Sequence, residues 1–112
     1  MSTWLVVTTG EVGHQYDTSL PRPPLRDDGT LERWLAEQPE YRAAIGLWIG
    51  RTLTGEVHVD RRDGPLRTVS LSVSGRGGAS APEHARLRER LQDLADRLDG
   101  RLWDDDTEEF VD

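Results

Sequence analysis

Cysteine is absent from the 112 residues. Its absence excludes a disulfide framework, thiol catalysis and any zinc site built on thiolates, so packing alone must hold the fold. Lysine is missing as well, and all 14 basic residues are arginines, a bias that a GC-rich genome supplies and that carries no functional weight. Positive charge is scarce overall, because 21 acidic residues leave a formal net charge of -7. This balance disfavours the phosphate neutralisation on which nucleic-acid binding rests and equally disfavours anionic membranes, which makes a basic partner the natural one. Long hydrophobic runs are lacking too. The most apolar internal run, Ala43 to Ile49, is too short to cross a bilayer, and Met1 to Val7 has neither the basic start nor the apolar length of a secretion signal. The expected location is cytoplasmic.

Apolar residues make up 35% of the chain and charged residues 31%, and the apolar ones gather in periodic runs. Such a chain folds, and its length suits one core, so residues 1–112 are expected to form a single domain. Trp4 to Thr9 is rich in β-branched and aromatic residues and ends at Gly10, as a first strand would. Residues 10–29 carry so many glycines and prolines that a long loop is expected there, tied down by Tyr16 and Leu20. Thr30 stands where it can cap a helix from Leu31 to Gln38, with Leu31, Trp34 and Leu35 on one stripe and Pro39 as the stop.

Three strands are then expected in succession. Between Ala43 and Gly50, alternation sets Ile45, Leu47 and Ile49 on one face and Trp48 on the other; between Glu56 and Asp60 it turns Val57 and Val59 inward. Asp63-Gly64 signals a hairpin, after which Val69, Leu71 and Val73 alternate with serines up to Ser74. Ser80-Ala81-Pro82-Glu83 has the spacing of a capping box with proline at the first helical position. It opens a helix whose stripe is Leu87, Leu91, Leu94, Ala95 and Leu98, with Asp93 able to pair with Arg97 and Gly100 in the left-handed position at its end. Arg101 to Trp103 suggests a last strand, and 104–112 an acidic C-terminal turn or tail. The expected fold is α+β: a mainly antiparallel sheet of four to five strands with two helices, in the order β-α-β-β-β-α-β, as a split β-α-β-like two-layer sandwich.

No catalytic set stands out, and neither a metal nor a cofactor is called for. Glu56, His58 and Asp60 share a strand face and could ligate a metal or orient a general base, but positions i and i+4 of a strand lie about 13 Å apart, too far for one ion. The glycine-rich stretch Gly75 to Ser80 sits where phosphates bind before a helix, yet it lacks the full nucleotide fingerprints and fits a flexible connection. These two features support the alternative of a ligand- or metal-binding protein or enzyme. Trp48 has two readings: an exposed anchor beside His58 and Ser70 on the polar sheet face, or a buried ring packed with Trp34 under the first helix. The run Asp104, Asp105, Asp106 could mimic phosphates before a basic partner or simply stay solvated.

The meander from Glu56 to Ser74 followed by Leu87-Arg88-Glu89-Arg90-Leu91-Gln92-Asp93-Leu94-Ala95-Asp96-Arg97-Leu98-Asp99-Gly100-Arg101-Leu102-Trp103-Asp104 resembles the strand, helix, short strand ending of small bacterial α+β immunity proteins from toxin systems. It is also similar to the partner-binding domain of the cell-division protein ZipA, whose split sheet offers one open face. The likeness covers about half of the chain and transfers no functional residue. It implies an immunity- or antitoxin-like inhibitor of a basic protein such as a toxin or nuclease, or a structural interaction domain. Trp48, His58, Glu56, Asp60, Ser70, Asp104, Asp105 and Asp106 are the partner-binding candidates.

Overall fold

Val69, Leu71 and Val73 alternate with Ser70, Ser72 and Ser74, and this two-faced run is the central strand of the sheet. The computed structural model describes residues 2–9, 23–61, 64–75 and 82–111. Its elements are β1 (Ser2–Thr8), α1 (Thr30–Glu37), β2 (Tyr41–Arg42), β3 (Leu47–Ile49), β4 (Leu53–Asp60), β5 (Thr68–Gly75), α2 (Pro82–Arg97), β6 (Arg101–Asp104) and β7 (Glu109–Val111). The class is α+β, with two helices and one antiparallel sheet among the described residues, in the order β2-β3-β4-β5-β1-β6-β7. The sheet has 7 strands rather than four or five, because β2 and β7, of 2 and 3 residues, are too short to carry a periodic signal. β5 and β6 are both antiparallel to β1, which lies between them, and α2 connects the two.

Both helices cover the valine-leucine face of β5. Leu31, Trp34 and Leu35 of α1, and Leu87, Leu91, Leu94 and Ala95 of α2, with Leu98 just beyond it, are buried in one cluster with Leu5, Val7, Leu71, Val73 and Leu102. Each fully buried leucine contributes about 1.5–3 kcal/mol relative to exposure, so the expected α2 stripe is the main binder of helix to sheet. Asp93 and Arg97 meet at 3.1 Å on the solvent side, one turn apart. Among the described residues, no helix is long and apolar enough to cross a membrane.

Several local expectations are corrected. α1 begins at Thr30, with Gly29 in the left-handed region (φ 92) at the N-cap, so Thr30 is not the cap. Asp28, one residue before the cap, accepts the Thr30 N–H at 3.3 Å and the Thr30 hydroxyl as well. At the far end of α2 the left-handed residue is Asp99 (φ 56), not Gly100. Gly100 donates its N–H to the Ala95 carbonyl and Asp99 to that of Asp96, a Schellman closure one residue earlier than expected. Gly100 is needed for a different reason, since a Cβ there would lie 2.5 Å from Leu25 Cδ2 and 2.9 Å from the Thr8 carbonyl oxygen.

The strand expected across 43–50 is a hairpin instead. Residues 43–46 turn, with Gly46 at φ 66, and only Leu47–Ile49 pair with β4. This breaks the phase of the alternation: Ile45 falls in the turn and is 63% exposed, Leu47 and Ile49 face away from the helices, and Trp48 faces them. Opposite Trp48 stands Gly55, whose missing side chain leaves the inner face free for the indole. Of the turn and the tail expected after Trp103, the turn is the one found, at 105–108 between β6 and β7. The loop expected at 10–29 lies outside the described residues up to 22. Its end is anchored by Leu25, which is buried and donates its N–H to the Leu66 carbonyl at 2.8 Å.

Candidate functional site

With both helices on one side, the other face of the sheet is built from the residues between the core positions. Across β3, β4, β5 and β1 one row reads Leu47, Glu56, Ser72, Trp4, and a second, through β4, β5, β1, β6 and β7, reads His58, Ser70, Val6, Trp103, Phe110. The small serines of β5 decide the geometry. Strands two apart are about 9.6 Å distant, but nothing larger than a hydroxyl intervenes, so Trp4 and His58 lean over β5 until their ring centroids are 5.6 Å apart, tilted by 33°. On the same side of β4 the His58 Nε2 atom lies 3.3 Å from Glu56 Oε2, with both side chains at least half exposed.

Trp4 is 37% exposed and Ile49, on the same face, 41%. The far side of this face is closed by its own aromatics. Trp103 is buried, Phe110 meets it edge-on with centroids 5.1 Å apart, and the Arg101 guanidinium lies 3.9 Å from the Phe110 ring centre. The accessible strip is therefore Trp4, His58 and Glu56 with Leu47 and Ile49 along its side. A mixed polar and apolar strip of this kind offers area to another protein surface.

No family model, curated protein or solved structure matches this chain.

The site therefore rests on its residues. The sheet gathers four of the anticipated contacts on one face: Glu56, His58 and Asp60 from β4, and Ser70 from β5. Trp48 is not among them. It is 2% exposed on the opposite face, where its ring stacks on Trp34 at 6.3 Å between centroids and Arg90 lies 4.9 Å from its centre. Of its two readings the buried one holds. Asp104 is also removed from the surface: it is 1% exposed on the helix side, 3.4 Å from Arg88 Nε, and accepts the Asp106 N–H at 2.9 Å. Asp105 and Asp106 stand in the β6–β7 turn, where Asp105 donates its N–H to the Trp4 carbonyl at 3.0 Å.

Among the described residues no three His, Cys, Asp or Glu side chains come close enough to hold a metal ion, and Glu56 with His58 supplies only a pair. Residues 76–81, with most of the glycine-rich connection and Ser80 of the capping box, lie outside the described residues. Glu83, the other half of that box, has a different engagement. Its carboxylate accepts the Thr52 N–H and hydroxyl, each at 2.9 Å, and the Leu53 N–H at 3.3 Å. Desolvation pushes its pKa up, but these hydrogen bonds together outweigh it and hold the carboxyl below the ordinary glutamate range.

Strand periodicity gives Trp4 a place in β1 and no further role. The signal for it was present in the serines: a strand with Ser70, Ser72 and Ser74 on one face offers room above it, and an aromatic on a neighbouring strand fills that room.

Proposed function

We propose that this chain is a protein-binding module whose contact surface is the helix-free sheet face around Trp4, and that its partner is a basic protein. The observation that carries the reading is Trp4 itself, exposed and propped against His58 over the serines of β5. Large aromatics presented on a rigid sheet are the usual anchors of interfaces, and a net charge of -7 speeds encounter with a positively charged surface. In its specific form the proposal is an immunity- or antitoxin-like inhibitor acting in the cytoplasm. The arrangement of β5, α2 and β6 around β1 supports the likeness to split β-α-β sandwiches that present one sheet face.

The test is a titration of the chain against the product of a neighbouring toxin or nuclease gene. Nanomolar to micromolar binding is expected, weakening as salt rises and falling at least tenfold in Trp4→Ala. No binding between the two wild-type products sinks the inhibitor reading. The 3.3 Å contact of Glu56 with His58 favours a second reading, in which the imidazole, oriented by the carboxylate, holds or acts on a small ligand. Thermal shifts with divalent metals and nucleotides address it, and stabilisation by none of them removes it.

A further inference from the structure

A cleft of about 460 Å³ opens at the β3 end of the sheet, between the first turns of α2 and the segments around Pro39 and Gly50. The buried Trp48 and Leu87 lie at its base and Pro39 on its rim. Three arginines line it, and they differ in kind. Arg90 is committed: its guanidinium reaches Glu40 at 2.6 Å and Gln38 at 3.0 Å. Arg51 and Arg86 are both exposed. Among the described residues, they are the arginines whose guanidinium groups meet no hydrogen-bond acceptor, no carboxylate and no ring.

In a chain with 21 acidic residues, every other described arginine is engaged, and the two left over share one cleft. The two carboxylates lining the same cleft have other partners. Glu40 is held by Arg90 and Glu83 by the N–H groups of Thr52 and Leu53, so neither forms an ion pair with Arg51 or Arg86, and three arginines against two glutamates leave the lining one positive charge in excess. Two unspent guanidinium forks above an apolar base make a site with a definite chemical preference. Each fork donates to paired oxygens of a carboxylate or a phosphate, and Pro39 on the rim offers an apolar contact. The volume lies within the range of small-molecule sites.

We infer that this cleft binds an organic anion, with its carboxylate or phosphate oxygens on Arg51 and Arg86 and its apolar body on the exposed Pro39, over the buried edges of Trp48 and Leu87. The site is at the sheet edge, and of the strip around Trp4 it shares Ile49 alone. Either could fail without the other.

The experiment is an amide-shift NMR titration at constant ionic strength with phenyl phosphate, benzoate and inorganic phosphate. Saturable shifts confined to amides near Glu40, Ile49 to Leu53 and Glu83 to Arg90 are expected for phenyl phosphate or benzoate, and the tighter of the two assigns phosphate or carboxylate. Affinity should fall about tenfold in Arg51→Gln and in Arg86→Gln, the loss of one charged hydrogen-bonding partner, and stay unchanged in Arg97→Gln. Because neither side chain has a partner to lose, both variants should keep the wild-type amide dispersion. Arg51→Lys and Arg86→Lys, which keep the charge and lose the fork, provide the same reading if a glutamine variant unfolds. Shifts that do not saturate, or that survive both substitutions, overturn the proposal. So does inorganic phosphate binding as tightly as phenyl phosphate, since the apolar contact would then contribute nothing.

Discussion

The indole of Trp48 lies over that of Trp34, with ring centroids 6.3 Å apart and planes 23° from parallel, so that β3 and α1 are joined through two tryptophans. Arg90 of α2 closes over the same ring while holding Glu40 and Gln38. Trp48→Ala should therefore cost about 3–5 kcal/mol, the usual result of emptying a buried aromatic site. Trp4→Ala, at a position 37% exposed, should cost under about 1.5 kcal/mol. Urea unfolding of the two variants beside the wild type checks the ordering. A larger loss at Trp4 than at Trp48 would contradict the assignment of core and contact surface.

Gly50 and Glu83 are coupled by space. A Cβ on Gly50 would fall 1.9 Å from Glu83 Oε1 and 3.1 Å from the Leu53 carbonyl oxygen, so Gly50→Ala must push the carboxylate off the turn it supports. A loss of about 1–3 kcal/mol is expected from the single substitution, and a clearly smaller one once Glu83→Ala has already removed the carboxylate. The double-mutant cycle measured by chemical denaturation gives the coupling. Strict additivity would mean that the contact does not constrain position 50.

Stability should fall with acid in a defined window. The Arg90 hydrogen bond, opposed by desolvation, holds the Glu40 carboxyl below the ordinary glutamate range; at Glu83 desolvation is the largest single effect and raises the value, but the hydrogen bonds from Thr52 and Leu53 together outweigh it. For carboxyls depressed on folding, the stabilisation is complete above the unfolded value, about 4.3, and disappears as pH falls through the lower folded values. Denaturant midpoints followed from neutral pH to about pH 3 should decline over that window. The decline should be shallower in Glu40→Gln and Glu83→Gln, and an unchanged slope in both would refute the linkage.

Asp104 ties β6 to α2 through Arg88 and orders the following turn by accepting the Asp106 N–H. Asp104→Ala, which removes both contacts, should cost about 1–3 kcal/mol. Asp104→Asn can keep an acceptor for the Asp106 N–H and should cost less. Equal losses in thermal or urea unfolding would place all of the effect in the ion pair.

Much of the architecture was legible because it is written in strong periods. The leucine stripe of α2 and the valine-serine alternation of β5 each extend through their element, and both appear where expected. The misreadings share a cause: elements too short for a period to assert itself. Ala43 to Gly50 looks like one alternating strand, but a left-handed Gly46 divides it into a turn and three paired residues, and that reversed the face assigned to Trp48. Acidic residues after Trp103 read as solvated because charge was all they offered; that Asp104 is buried follows only from its register opposite Leu5, which brings it beneath Arg88. The contact of Trp4 with His58 joins positions 54 residues apart through the strand order, and no local pattern encodes a strand order.

The place of β1 in that order also dictates when the sheet can be completed during synthesis. Leu5 has ladder partners at Leu71 and Asp104, one on each side, so one edge of β1 can pair once β5 has been made, whereas the other waits for β6. The hairpins of β2 to β5 can form meanwhile from neighbouring sequence, whereas β1 closes long loops on both flanks, the slow kind of contact. Ribosome-bound chains should therefore stay open to protease until residues 101–104 have left the exit tunnel, and then become resistant in a single step.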